Sequence, residues 1–309
     1  GILLATGFAL FIQSRIAMLD IFMVAFFAVA LWQCAAAVRE AETGRRRLAI
    51  AGVAIGLSMA SKWNVLVVAM LPGLAFFAAR VTASRRHLWL SRRGVPVPGV
   101  SLAEAGLWLG VVPLFVYWLS FASAYFLDNN ALVWGGFIEH HRLMLELQQS
   151  LKIPHNYQSN WPDWVLNLRA IWYLYEPVDG AQRGIILIGN PLTMLLGLPA
   201  LAWCAWAGFC RRRWDLIGIV LLYAVSLGMW LAVNKPVQFY YHYFLPSCFL
   251  LAALAAALDE LWKNGQRRIA GLVLAGSAAV FAFFYPILSA AKLAGPQSFT
   301  LWTWLESWR

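Results

Sequence analysis

The sequence predicts an all-α polytopic membrane protein, and three observations predict it. Hydrophobic residues make up 61% of the 309 and charged residues only 12%, about half the share usual in soluble domains. Mean hydropathy is +0.66. Apolar runs of near-spanning length recur from end to end, with most of the 24 Lys and Arg in short clusters between them. The net charge of +10 is therefore loop charge, which excludes a nucleic-acid-binding face. Cys34, Cys204, Cys210 and Cys248 stand singly, with neither metal-ligand spacing nor a disulfide framework, and read as small hydrophobes.

A span needs about 20 apolar residues. Segments fall at 1–12, 16–37, 48–60, 65–79, 104–125, 190–209, 215–233, 244–262 and 269–290, nine in all. The first is too short to span, no cleavable signal pattern precedes Arg15, and the chain opens at Gly1, so an N-terminal part is expected to be missing. One long helix through 48–79 would bury Lys62 at a cost of roughly 2.5–3.5 kcal/mol, so the expectation is a hairpin tipped by Ser61-Lys62-Trp63-Asn64. Charge supports it: the hairpin puts Arg39 and Arg45–Arg47 on the same side as Arg80, Arg85, Arg86, Arg92 and Arg93. Segments 38–48, 80–103, 210–214 and 263–268 then hold 15 of the 24 Lys and Arg, and the positive-inside rule places them in the cytoplasm.

The unusual polar features then collect on the opposite, extracytoplasmic side. They are Arg15 with Asp20, the Lys62 tip, the 126–189 stretch and the 234–243 segment, and their convergence on one face argues for a site. The 126–189 stretch is too long for a connector. Val133, Phe137, Met144, Leu147 and Leu151 recur at helical steps there, which predicts an amphipathic interfacial helix, with Glu139, His140, Arg142, Glu146 and Gln149 elsewhere around the wheel. Trp161, Trp164, Trp172, Tyr173 and Tyr175 suit the headgroup belt. The whole chain, 1–309, reads as a single transmembrane domain.

Each candidate has a plain alternative. Arg15 could snorkel to headgroups, and Asp20, roughly 7 Å deeper, could pair with a neighbouring helix; or the two line a cavity that meets a phosphate or a polar substrate. Lys62 is a solvated loop charge or a phosphate partner. His242, between Tyr241 and Tyr243, is a structural belt residue or a catalytic or phosphate-binding one. His140 and His141 point about 100° apart on a helix, and with Glu139, Arg142 and His155 they make a poor metal set, so no metal site is expected. No nucleophile-elbow, Walker or dinucleotide motif occurs.

Taken in order, Gln-Ser-Arg-Ile-Ala-Met-Leu-Asp (13–20), Ser-Lys-Trp (61–63), His-Asn-Tyr-Gln-Ser-Asn-Trp (155–161), Trp-Tyr-Leu-Tyr-Glu (172–176), Gly-Asn-Pro (189–191) and Tyr-His-Tyr-Phe-Leu-Pro (241–246) resemble the protein O-mannosyltransferase family, essentially end to end. The resemblance implies a GT-C fold of about eleven spans, nine of them here, and a prokaryotic member in the plasma membrane, since 126–189 has no room for the MIR domain of eukaryotic relatives. It implies transfer of mannose from a polyprenyl-phosphate donor to Ser or Thr hydroxyls of secreted or membrane proteins at the extracytoplasmic face. The acidic pair of the family lies upstream of Gly1, so the catalytic base is unassigned here and this chain alone could be inactive. Arg15, Asp20, Lys62 and His242 become candidates for the donor-phosphate wall, and His141, His155, Trp161, Glu176, Tyr241 and Tyr243 for the acceptor or loop site. The implied partners are the lipid-linked sugar, an acceptor polypeptide and membrane lipid, with no nucleic acid. No cofactor is firmly implied, and divalent-cation dependence and oligomerisation stay open. The rivals are a GT-C transferase acting on a glycolipid such as lipid A and a multispanning transporter; the latter calls for ionisable residues at the membrane midplane.

Overall fold

A computed structural model describes residues 1–83, 89–92, 94–129, 131–150, 153–233 and 235–309. Arg85, Arg86 and Arg93 of the basic cluster, Leu151 of the expected amphipathic face and Asn234 lie outside the described residues. The elements in chain order are α1 (Ile2–Ala5), α2 (Phe8–Arg15), α3 (Leu19–Arg39), α4 (Gly44–Ser61), α5 (Leu66–Ala69), α6 (Leu71–Ala83), α7 (Leu102–Gly106), α8 (Val112–Leu119), α9 (Phe137–Ser150), α10 (Trp161–Val165), β1 (Ile171–Val178), β2 (Ala181–Leu187), α11 (Pro191–Cys210), α12 (Trp214–Ala232), α13 (Phe244–Lys263) and α14 (Arg267–Leu288).

Among the described residues, seven helical stretches are long and apolar enough to cross a membrane: Leu19–Arg39, Trp63–Ala83, Leu102–Phe126, Pro191–Cys210, Trp214–Ala232, Tyr240–Lys263 and Arg267–Leu288. They correspond to seven of the nine expected segments. The first segment is instead broken into α1 and α2 at Thr6–Gly7, and the 48–60 segment becomes α4, whose first turn carries Arg45, Arg46 and Arg47. The chain divides into two compact units, Leu19–Leu147 and Gly1–Met18 with Gln148–Arg309.

In the Leu19–Leu147 unit, α4 packs on α3 and α8. Gly52 and Gly56, four residues apart, let the neighbouring backbone come close: a Cβ on Gly52 would sit 2.0 Å from the Trp108 carbonyl oxygen, and one on Gly56 2.7 Å from that of Pro113. Small residues at this spacing are the usual means of close helix approach in lipid. Opposite Gly52, residues Leu107–Val111 form a π-helical turn inside the span. The expected hairpin at Lys62 is present. Helix α4 ends at Ser61, Lys62 is extended (φ −163°, ψ 135°), and a 3-10 turn over Trp63–Val65 leads into α5 and α6. The start of α4 and the end of α6 reach the same segment, because Arg45 donates to Gly99 O (3.0 Å) and the buried Arg80 donates to Val100 O. At that end Arg47 hydrogen-bonds Gln33 and Glu40, and its guanidinium holds the Glu40 carboxyl below the usual carboxylate range.

In the other unit, α13 packs against α11, α12 and α14. Gly197 of α11 accommodates Leu250, whose Cγ lies 2.5 Å from where a glycine Cβ would be. The break between α1 and α2 is held by polar contacts from distant elements: Thr6 and Ser277 hydroxyls lie 2.6 Å apart, and Asn190 Nδ2 donates to Thr6 O (3.2 Å) and Ser277 O (3.1 Å). Strands β1 and β2 form an antiparallel hairpin. The sequence reading of 172–175 as a headgroup-belt stretch did not foresee it. The signal was Asp179-Gly180 between strand-like runs: both adopt left-handed backbone (φ 50° and 72°), which a two-residue hairpin turn requires.

Candidate functional site

In the Leu19–Leu147 unit, α3 begins one residue before Asp20 and so places its carboxylate at the first turn, where the helix dipole favours an anion. Asp20 is fully buried, Lys62 Nζ donates to its Oδ2 at 2.6 Å, and its Oδ1 has no hydrogen-bond partner among the described residues. The extended backbone at Lys62 turns the ammonium back onto α3. The next residue starts a second chain of hydrogen bonds. Trp63 Nε1 donates to Tyr117 Oη (2.7 Å), and Tyr117 Oη lies 2.6 Å from His141 Nε2. His141 Nδ1 lies 2.7 Å from the Phe137 carbonyl, which can only accept, so the ring carries its proton on Nδ1 and takes the Tyr117 proton at Nε2. Trp63 also stacks on His141, with centroids 5.2 Å apart and planes 9° apart.

This network changes the reading of α9. The helix forms as expected, but its half-buried positions are Phe137, His140, His141 and Met144, while Ile138, Leu143, Leu145 and Leu147 are exposed. Tyr117 and Trp63 draw the histidine side inward, which apolar periodicity could not show. We expect Tyr117→Phe to cost about 1–2 kcal/mol, the worth of the two hydrogen bonds it removes, with faster hydrogen exchange confined to α9 as the readout.

In the other unit, His242 sits in a 3-10 turn over Tyr240–Tyr243 and is almost fully buried. Its ring packs against Trp230 (4.1 Å between centroids), Tyr241 (4.4 Å) and Trp164 (5.8 Å). Lys235 Nζ lies 3.3 Å from its Nε2 and donates to Gln148 Oε1 (3.0 Å). His242 Nδ1 accepts from the Phe239 amide (2.9 Å) and also lies 3.0 Å from the Phe239 carbonyl oxygen, so both ring nitrogens are engaged. Trp164 is fixed in turn by Ser159, and the Ser159 amide by Gln238 O.

Beneath this turn lies Asn167, buried and in left-handed backbone (φ 57°). Its side chain bonds Gly189 as a second strand would, donating to Gly189 O (3.0 Å) and accepting from Gly189 N (3.0 Å), and its Oδ1 also accepts from Tyr240 Oη (2.6 Å). The buried Tyr240 hydroxyl needs a hydrogen-bond partner, and Asn167 Oδ1 supplies one. Asn167→Ala therefore removes three buried hydrogen bonds and a residue tolerant of that φ. We expect a loss of about 2–3 kcal/mol in denaturant unfolding.

The remaining candidates separate. His155 is exposed, its Nδ1 taking the Tyr157 amide and its ring edge-on to Phe239. Tyr243 is fully buried with its hydroxyl 2.9 Å from that of Tyr223, while Trp161 and Glu176 are exposed. Arg15, at the end of α2, is exposed, lies over the Phe11 ring, and with Ile12, Ile16, Ile185 and Leu288 lines an otherwise apolar cavity of about 70 Å³. Arg15 and His242 belong to one unit, Asp20, Lys62 and His141 to the other. Among the described residues no group of three His, Cys, Asp or Glu is arranged to hold a metal ion. Lys235, Tyr117 and Asn167 were not singled out from the sequence. Tyr117 is hidden in an apolar run, and Asn167 carries no signal until its φ is known.

A model of the C-terminal four-TMM region of protein O-mannosyltransferases matches residues 133–308, a stretch that contains α11 to α14. The chain belongs to the protein O-mannosyltransferase family. The protein O-mannosyltransferase resemblance drawn from the motifs is thus confirmed over more than half of the chain. A polyprenol-phosphate-mannose–protein mannosyltransferase of Mycolicibacterium smegmatis is 26% identical over all of this chain and 71% of its own length. Another of that name, from Corynebacterium glutamicum, is 27% identical over 92% of this chain and 64% of its own. Among solved structures, the Saccharomyces cerevisiae Pmt1–Pmt2 protein O-mannosyltransferase complex bound to the sugar donor is 21% identical, with a TM-score of 0.48 over 56% of this chain and 26% of that one. The apo Archaeoglobus fulgidus oligosaccharyltransferase is 15% identical, with a TM-score of 0.37 over 93% of this chain and 40% of that one.

Proposed function

We propose that this chain is the bulk of a GT-C membrane transferase that moves mannose from a polyprenyl-phosphate donor to Ser or Thr hydroxyls of polypeptides at the extracytoplasmic face of a bacterial plasma membrane, its two units serving one transferase domain. The observation that carries this reading is the Arg15 cavity. One guanidinium lines a small cavity of about 70 Å³ whose other walls are Ile12, Ile16, Ile185 and Leu288, which sets a cation that can meet a phosphate beside an apolar wall. The names of the bacterial relatives supply the donor and the acceptor class.

In such a reaction the acceptor oxygen bonds to the anomeric carbon as the bond to the phosphate oxygen breaks. The hydroxyl proton passes to a base, and the departing phosphate is held by cations. Arg15 is the first candidate for that task. Lys62 and His242, each set in place by a partner, are the others.

The test is transfer of radiolabelled mannose from polyprenyl-phosphate mannose to a Ser/Thr-rich peptide by the full protein in membranes. Labelled peptide is expected, and Arg15→Ala should lower kcat/KM by about a hundredfold, in the range for losing one donor to a developing anion. Label entering a glycolipid in place of the peptide would overturn the acceptor assignment. Uptake of substrate without any glycosylated product would overturn the enzyme assignment in favour of transport.

A further inference from the structure

The hairpin has one edge in use and one open. On the β2 side, Gln182 O accepts from Leu293 N at 2.9 Å in an isolated antiparallel bridge, so the backbone groups of Gln182 point away from β1. Its cross-strand partner is Pro177, which has no N–H to offer. Two positions along, Tyr175 faces Gly184 in the same phase. The N–H and C=O of Tyr175 and the C=O of Pro177 therefore point outward from β1, and none of the hydrogen bonds found among the described residues uses them. The strand is held from its face: Tyr175 Oη donates to Pro296 O (2.7 Å) and accepts from Phe299 N (3.3 Å). Such a row is a preformed template for one more strand.

The position of this edge gives it a use. Across the ladder from Leu174 is Ile185, which shares the apolar cavity with Arg15. A strand added beside β1 would lie about 10 Å, two strand spacings, from β2. We propose that the outer edge of β1 binds the acceptor polypeptide as an added strand, through the backbone of Tyr175 and Pro177. This rests on the proposed polypeptide acceptor and extends it to the mode of binding. Main-chain pairing recognises an extended segment whatever its side chains, and Pro177 confines it to a few residues by withholding one donor.

The test is binding of a fluorescein-labelled Ser/Thr-rich peptide to the full protein in nanodiscs, with single backbone N-methyl groups walked along the peptide. Methylation at two positions two residues apart should each weaken binding about tenfold, the position between them having no effect. Pro177→Val, which adds an outward N–H on an exposed edge, should tighten binding about fivefold. Equal effects at all positions, no effect at any, or no binding of the unmodified peptide would overturn the proposal. Binding with the two-residue period but without mannose transfer would leave the edge standing and sink the proposed activity instead, so the two failures are distinct.

Discussion

Lys62→Met should destabilise the protein by about 3–5 kcal/mol, the range for breaking a buried ion pair from one side. The reason is Asp20, which is fully buried and accepts from Lys62 Nζ at 2.6 Å, while its Oδ1 meets no hydrogen-bond donor among the described residues. Without the ammonium the carboxylate must either stay charged among apolar neighbours or take up a proton. Asp20→Asn in the Lys62→Met background removes the stranded charge and should recover much of the loss. Thermal inactivation in detergent for the two single variants and the double variant measures this. A double variant no more stable than Lys62→Met alone would show that the ammonium's other contacts matter more than its charge on Asp20.

Gly52→Ala should cost about 3 kcal/mol or prevent accumulation in the membrane. Its Cβ would sit 2.0 Å from a backbone oxygen, that of Trp108, and a backbone atom on a packed helix cannot swing aside as the end of a side chain can. Gly110 provides the control. It lies in the π-helical turn itself with nothing within 4 Å of its added Cβ, so Gly110→Ala should be tolerated. Expression and detergent unfolding of the pair separate a local clash from a general dislike of alanine in this span.

Much of the architecture was legible because lipid imposes simple rules. Length and hydropathy locate the spans, and the Lys62 hairpin followed from the cost of an immersed lysine together with the side on which Arg45 and Arg80 fall. Rules of that kind act on residue type along one helix. They do not report what lies across from it, so the Tyr117 phenol, which joins Trp63 to His141, passed as one more aromatic in an apolar run. On α9 the apolar count picked out Phe137 and Met144, which are half-buried, but not His141, whose bond to the Tyr117 hydroxyl turns it inward and which looks polar to any periodicity count. The candidate site was legible as motif order, which singled out Arg15, Asp20, Lys62 and His242. Their supports were not. Lys235 beside His242 and the Asn167 clamp on Gly189 depend on contacts between residues far apart in the chain.

The break at Thr6–Gly7 has a consequence for biosynthesis. The groups that satisfy it are the side chain of Asn190 and the hydroxyl and carbonyl of Ser277, which emerge from the ribosome only after the whole Leu19–Leu147 unit has been made. Until Asn190 and then Ser277 have been made, the carbonyl and hydroxyl of Thr6 lack these partners and must be sheltered by the insertion machinery or by lipid headgroups. Nascent chains arrested before Asn190 should therefore be far more vulnerable to membrane quality-control proteases around Thr6–Gly7 than chains arrested just after α14 is complete.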